Sequence, residues 1–280
     1  MILSFAPGRD ISSQALALGL PSLIALVCYV AAAMQNERWA QTLRQVLLVG
    51  WVAHGLSLLV DVAGVGSEPS GARFGFAPAL SMTVWFVLAV YQLERHFIPL
   101  PAARRALAAC GAVVVVVAWL FPGQVHPQAG SAWAPLHWLL GIASYGLFGA
   151  AVLHALLLSR AERHMRATAQ GAGARGEEGG MPLLRLERLT FRFVAAGFVV
   201  LTAAIVLGIT DARPWRWDHK SVFSLLGWLV FAALLAGRRT FGWRGPRATG
   251  WVYAGAALLL LAYVGSRFVL EVLLHRAPAG

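Results

Sequence analysis

Phe193-Val-Ala-Ala-Gly-Phe-Val-Val-Leu-Thr-Ala-Ala-Ile-Val-Leu-Gly-Ile-Thr210 carries no charge from end to end. It is the centre of an apolar run over 188–210, long enough for the ~20 residues that cross a hydrocarbon core as a helix. A second apolar run, 221–236, follows after only ten residues. Working outward, similar runs recur at 14–35, 42–60, 76–93, 103–121, 134–159 and 249–274. Those at 76–93 and 221–236 are short and must borrow flanking residues to span. The chain is 59% hydrophobic and 12% charged, whereas soluble domains are about 25% charged. The pattern predicts an all-α, polytopic membrane helix bundle of about eight transmembrane helices, with 1–280 as a single integral membrane domain. The apolar stretch after Arg9 is a full span in length, too long for a cleavable signal peptide.

The net charge of +11 invites a nucleic-acid reading, and the positions of the charges argue against it. Sixteen of the 23 Lys and Arg fall in the segments 36–44, 94–106, 160–192 and 237–248, all on one side of an eight-span chain. Cytoplasmic loops collect Lys and Arg, so this side is expected inside, and both termini and the 211–220 loop outside. The basic excess is then a topology signal. The expected location is the bacterial inner membrane, with the lipid bilayer as a partner and no nucleic acid.

The longest interruption, 160–187, is rich in Arg, Gly and Glu and reads as a cytoplasmic linker. Its glycines are not followed by Gly-Lys-Ser/Thr, so it is no phosphate loop. Residues 61–75 and 122–133 read as loops on the other side. Gly242-Trp243-Arg244-Gly245 reads as a compact basic turn anchored at the membrane surface. Cys28 and Cys110 fall within spans and form no CxxC or CxxCH motif, so neither a thiol relay nor covalent haem attachment is indicated.

Residues 211–220 contain Trp215-Arg216-Trp217-Asp218, more than a connection requires. Tryptophan at a span end commonly serves as an interfacial anchor. Two tryptophans two residues apart, followed at once by an acid, also offer a flat surface to a planar ligand. His137, at the start of the fifth span, and His275, at the end of the eighth, reach the same side as this loop. Imidazole is a common axial ligand of haem iron, and it is equally an ordinary interfacial polar group. Arg267 and Glu271 lie four residues apart on the last span and can pair on one face. Alternatively, Arg267 meets a carboxylate of the ligand, a porphyrin propionate, through its fork of donors. His54, inside the second span, is a candidate ligand, proton relay or helix–helix hydrogen bonder. His154 lies in the inner half of the fifth span, too far along that helix from His137 to share a haem. His96, His126 and His164 read as loop residues, and His219 as support for the Trp loop or an alternative ligand.

Several pieces in order resemble a known family: His137 with Ser144-Tyr145, Met181-Pro-Leu-Leu-Arg-Leu-Glu-Arg-Leu-Thr-Phe191, Trp215-Arg-Trp-Asp218 with Lys220, Ser224-Leu-Leu-Gly-Trp228, Gly242-Trp-Arg-Gly245, and Tyr263-Val-Gly-Ser-Arg267 through to His275. From about 134 onward the chain resembles the haem-handling cytochrome c assembly membrane proteins of the CcsA, CcmC and HemX type, nearest to the small eight-span YpjD- or HemX-like branch. The resemblance implies a non-covalent b-type haem held at the tryptophan-rich outer loop (Trp215, Trp217, Asp218), with His137 and His275 as axial ligands of its iron. There are departures. Asp211-Ala-Arg-Pro214 is an abbreviated approach to the loop. His219 stands where larger members have Pro, Ser221 where they have Glu, and Ala236 about where they place an intramembrane histidine. The last of these speaks against a second, buried haem site at His54.

The resemblance implies a haem-binding factor in cytochrome c assembly, whose partners are haem and apocytochrome c or other maturation subunits. Without a large periplasmic domain, an assembly factor is expected rather than a complete haem lyase. Two other readings stand beside it: a HemX-like membrane regulator of haem synthesis, and a small-solute transporter in which the tryptophans are anchors. Broken helices and repeated halves, common in transporters, are not evident.

Overall fold

A computed structural model describes residues 11–35, 40–62, 72–94, 101–126, 133–169, 183–211, 217–269 and 272. Eight helices follow the eight apolar runs: α1 (Ile11–Met34), α2 (Ala40–Val62), α3 (Phe76–Glu94), α4 (Pro101–Leu120), α5 (Ala134–Ala169), α6 (Leu183–Asp211), α7 (His219–Phe241) and α8 (Gly245–Leu260). A π-helical turn, Leu261–Gly265, and a final α-helical turn, α9 (Ser266–Phe268), extend α8. Among the described residues seven helical stretches are long and apolar enough to cross a membrane, and Gly19–Met34 is a shorter apolar stretch within α1. The protein is a polytopic helical membrane protein. The short run at 221–236 reaches span length by borrowing His219 and Lys220 at one end and Gly237–Phe241 at the other.

Three boundaries depart from the sequence reading. α5 continues well beyond its apolar run, through Arg160, Arg163 and Arg166, and so places His164 in a helix, not a loop. A helix need not stop where the hydrocarbon does. Here Arg163 Nε donates to the Ser159 carbonyl at 3.2 Å and Arg166 Nε to the Glu162 carbonyl at 3.4 Å, one turn back. α6 begins at Leu183, inside the segment 160–187 read as linker, where the helical spacing of apolar and basic residues from Met181 to Arg192 marks the entry into this span. Third, the segments read as loops contain a two-stranded antiparallel ribbon, β1 (Ala72–Phe74) with β2 (Gln124–His126), in register Ala72 to His126, Arg73 to Val125 and Phe74 to Gln124. His126 is therefore a strand residue.

The chain divides into two compact units. The first, Met1–Ser81 with Leu100–Gln128, holds α1, α2, α4, the ribbon and the start of α3. Its centre is the fully buried Tyr29. A Cβ on Gly111 would lie 2.9 Å from this ring and one on Gly50 3.3 Å from it, so the missing side chains are what admit it. Close approach through small residues is how membrane helices pack where no hydrophobic driving force acts between them. The Tyr29 hydroxyl lies 3.1 Å from His54 Nδ1, and His54 Nε2 lies 2.7 Å from Ser81 Oγ. Ser22 and Ser57 share a hydrogen bond of 2.6 Å. Arg104 is buried and donates to the Ala32 and Gln35 carbonyls, closing the C-terminal end of α1, where carbonyls lack helical partners.

The second unit, Met82–Pro99 with Ala129–Gly280, contains the rest of α3 and α5 through α9. Phe148 and Phe231 stack at 3.9 Å between ring centres. A Cβ on Gly197 would come within 3.0 Å of Phe148, and one on Gly255 within 2.6 Å of Phe231. Trp228 Nε1 donates to Thr202 Oγ1 at 2.9 Å, tying α7 to α6. His154, fully buried, donates from Nδ1 to the Ala150 carbonyl at 2.8 Å, and its Nε2 lies 2.8 Å from Glu94 Oε2 without pointing an N–H squarely at it.

Candidate haem site

Four chain ends of the second unit carry the candidate residues: the start of α5, the end of α6, the start of α7 and the end of α8 with α9. The start of α5 has Pro135 in its first turn, where a missing N–H costs nothing. The Trp133 carbonyl accepts from the His137 N–H at 3.0 Å. That sets His137 one turn into the helix, half-buried against α6. Its Nδ1 donates to the Ala204 carbonyl at 3.0 Å. Gly208 lies beneath the ring, and a Cβ there would stand 2.9 Å from His137 Cε1. A glycine on α6 is thus the seat of the imidazole. With the proton held on Nδ1, the ring lone pair belongs to Nε2.

At the start of α7, Asp218 is the N-cap. Its backbone is extended, its Oδ1 accepts from the Ser221 N–H at 2.8 Å, and its carbonyl accepts from the Val222 N–H at 3.0 Å. Partial burial raises the Asp218 pKa, but the hydrogen bonds from Ser221 and the charge on Lys220 more than offset this and hold it below the ordinary carboxylate value. Asp218 therefore acts on the helix start. Trp217, just before it, is 72% exposed. Trp215 lies outside the described residues, as do His275 and Glu271, so the geometry of the paired tryptophans, of a second axial histidine and of an Arg267–Glu271 pair is not defined.

The end of α8 brings two cations to one ring. Lys220 Nζ lies 5.7 Å from the centre of the Tyr263 ring and the Arg267 guanidinium carbon 5.8 Å from it. Both distances fit cation–π attraction. Tyr263 lies within the π-helical turn, a widening often found at functional sites. The Tyr145 hydroxyl of α5 donates to the Leu259 carbonyl just before that turn. Arg267 Nη1 is buried and has no hydrogen-bond partner among the described residues. A buried, unsatisfied donor on a cation is costly unless an anion completes it.

The residues present fit a haem by their chemistry: an imidazole oriented through Nδ1, an exposed indole at Trp217, and an arginine donor at Arg267 that has no hydrogen-bond partner among the described residues. The described residues contain no group of three or more His, Cys, Asp or Glu able to enclose a bare metal ion. Of the other histidines, His54 has both ring nitrogens within hydrogen-bond distance of hydroxyl groups and lies in the first unit. His219 opens α7 and is exposed. Gly208, the Ala204 carbonyl, Tyr145 and the pairing of Lys220 with Tyr263 were not legible as site components. Each depends on which helices meet, and no local spacing encodes that.

Comparison with known proteins identifies the family. The model of the cytochrome c assembly protein family matches residues 39–274. The chain is 27% identical over 217 residues to the cytochrome c biogenesis protein CcsA of Parasynechococcus marenigrum, covering 67% of this chain and 71% of the relative. It is 29% identical over 162 residues to the CcsA protein of a Synechococcus species, covering 50% and 52%. To a CcsA protein of Prochlorococcus marinus it is 23% identical over 223 residues, covering 68% and 71%. The chain belongs to the cytochrome c assembly protein family.

Proposed function

We propose that this protein takes part in cytochrome c biogenesis by binding a b-type haem non-covalently at the His137 end of its second unit. The observation that carries the reading is the seating of His137: Nδ1 committed to the Ala204 carbonyl and the ring resting on Gly208. His137 supplies an axial ligand through Nε2, and His275 supplies the other. Trp215 and Trp217 form an aromatic shelf, and Asp218 holds that shelf to the start of α7. Arg267, assisted by Lys220, receives propionates. When bound, haem supplies the iron porphyrin that an apocytochrome c must acquire. The tryptophan loop and both termini face outward from the inner membrane, in line with the distribution of Lys and Arg. Apocytochrome c and other maturation subunits are the partners this placement suits.

The test is a chromosomal deletion, read by haem staining of c-type cytochromes. The expected result is loss of covalently attached haem, restored by the wild-type chain and poorly by His137→Ala at equal membrane abundance. Unchanged c-type cytochromes with altered total haem would overturn the assembly reading in favour of a regulator.

A further inference from the structure

The first three turns of α6 carry charge on two faces. One face is neutralised within the fold. Glu187 Oε1 accepts from Arg238 Nη1 at 2.8 Å, and Arg244 Nε lies 3.7 Å from the same oxygen. Arg238 also lies 3.6 Å over the Phe191 ring. The other face carries Arg185, Arg188 and Arg192, spaced so that they form one stripe about 10 Å long. All three are exposed. Among the described residues none of them has an ion pair. Together with Leu184 and Leu189 they line an open cavity of about 370 Å³.

Depth along the helix says what such a groove meets. From residue 193 to its end at Asp211, α6 is uncharged until its last residue. That length is about 28 Å at 1.5 Å per residue, close to the ~30 Å of a hydrocarbon core. Residues 184–192 then lie at headgroup level. Guanidinium groups bind phosphate oxygens through paired N–H donors. Leu184, 68% exposed, offers an apolar surface beside them.

We propose that Arg185, Arg188 and Arg192, with Leu184 and Leu189, form a binding site for the phosphodiester headgroup of an anionic phospholipid. The guanidiniums take the phosphate oxygens, and the leucines lie against the first part of the acyl chains. The occupant follows from charge complementarity at a depth where phosphates of the bilayer are present. It does not depend on the haem reading.

The test measures saturable lipid binding to the full-length protein in mixed micelles, by titration with phosphatidylglycerol. Wild type is expected to bind phosphatidylglycerol saturably, and R185Q/R188Q/R192Q at least tenfold more weakly. R160Q/R163Q/R166Q removes the same charge from exposed positions on α5 and is expected to bind like wild type. Circular dichroism of each variant checks that the helices persist. Equal weakening in both triple variants would overturn the site in favour of diffuse attraction. Equal binding of phosphatidylcholine would overturn the requirement for an anionic lipid. Full competition by millimolar inorganic phosphate would show a phosphate site in place of a lipid site. Lipid binding only after E177Q/E178Q would overturn the lipid as occupant in favour of Glu177 and Glu178.

Discussion

An axial histidine must present one nitrogen to the iron, so whatever holds the other nitrogen determines how well it does so. The Ala204 carbonyl holds His137 Nδ1, and Gly208 leaves the space for the ring. Gly208→Ala places a methyl group 2.9 Å from His137 Cε1. The expected outcome is reduced haem occupancy with near-normal membrane levels. Gly250→Ala, where an added Cβ meets nothing within 4 Å, is expected to keep wild-type occupancy, and pigment per milligram of purified protein compares the two. His54 supports a contrasting prediction. Its ring nitrogens lie 3.1 and 2.7 Å from Tyr29 and Ser81 oxygens, so His54→Ala leaves buried hydroxyls without partners. The loss expected is about 1–3 kcal/mol, measured as a lower unfolding midpoint in detergent, with the haem spectrum unchanged. A changed spectrum would assign His54 to the haem after all.

Among the elements, the start of α7 shows how one residue caps a helix. The Asp218 side chain satisfies the Ser221 N–H, one of the donors left open at a helix start. Replacing an N-cap aspartate by alanine costs about 0.5–2 kcal/mol. Asp218→Ala is therefore expected to lower the unfolding midpoint and Asp218→Asn to restore most of it. Because the folded pKa lies below the ordinary value, the stabilisation from ionised Asp218 is complete above about pH 3.9 and is lost as pH falls through the lowered folded value. A midpoint difference between wild type and Asp218→Ala that grows on acidification would contradict this.

The spans were legible in the sequence because hydrocarbon imposes a length and excludes charge, as 193–210 shows. The ribbon of β1 and β2 was not, since three-residue strands leave no periodicity to read. Nor were the far end of α5, where arginines donate to carbonyls one turn back in their own helix, and the π-helical turn, a backbone adjustment with no side-chain signature. In the site, residue types were legible and their seating was not. His137 and Asp218 stood out, whereas Gly208 acquires meaning only once α5 meets α6. The neutralisation of Glu187 by Arg238 and Arg244 was equally hidden, since it joins positions far apart in sequence.

For the whole molecule, the distribution of charge sets the orientation. Sixteen of 23 basic residues on one side predict that Ala174 is inside and Gly280 outside. A membrane-impermeant thiol reagent is expected to label Gly280→Cys in intact cells, and Ala174→Cys only after lysis. Labelling of Ala174→Cys in intact cells would invert the topology and place the tryptophan loop on the wrong side for an outer haem site. Ligation of haem by His137 is tested most directly by the visible absorbance of wild-type and His137→Ala protein purified from haem-replete cells. A Soret band in the wild type that is shifted or lost in the variant, at equal protein and helix content, is the expected result, because axial ligation sets the electronics of the iron. An identical Soret band in both proteins would contradict the assignment of His137, and a wild type without any Soret band would contradict haem binding itself.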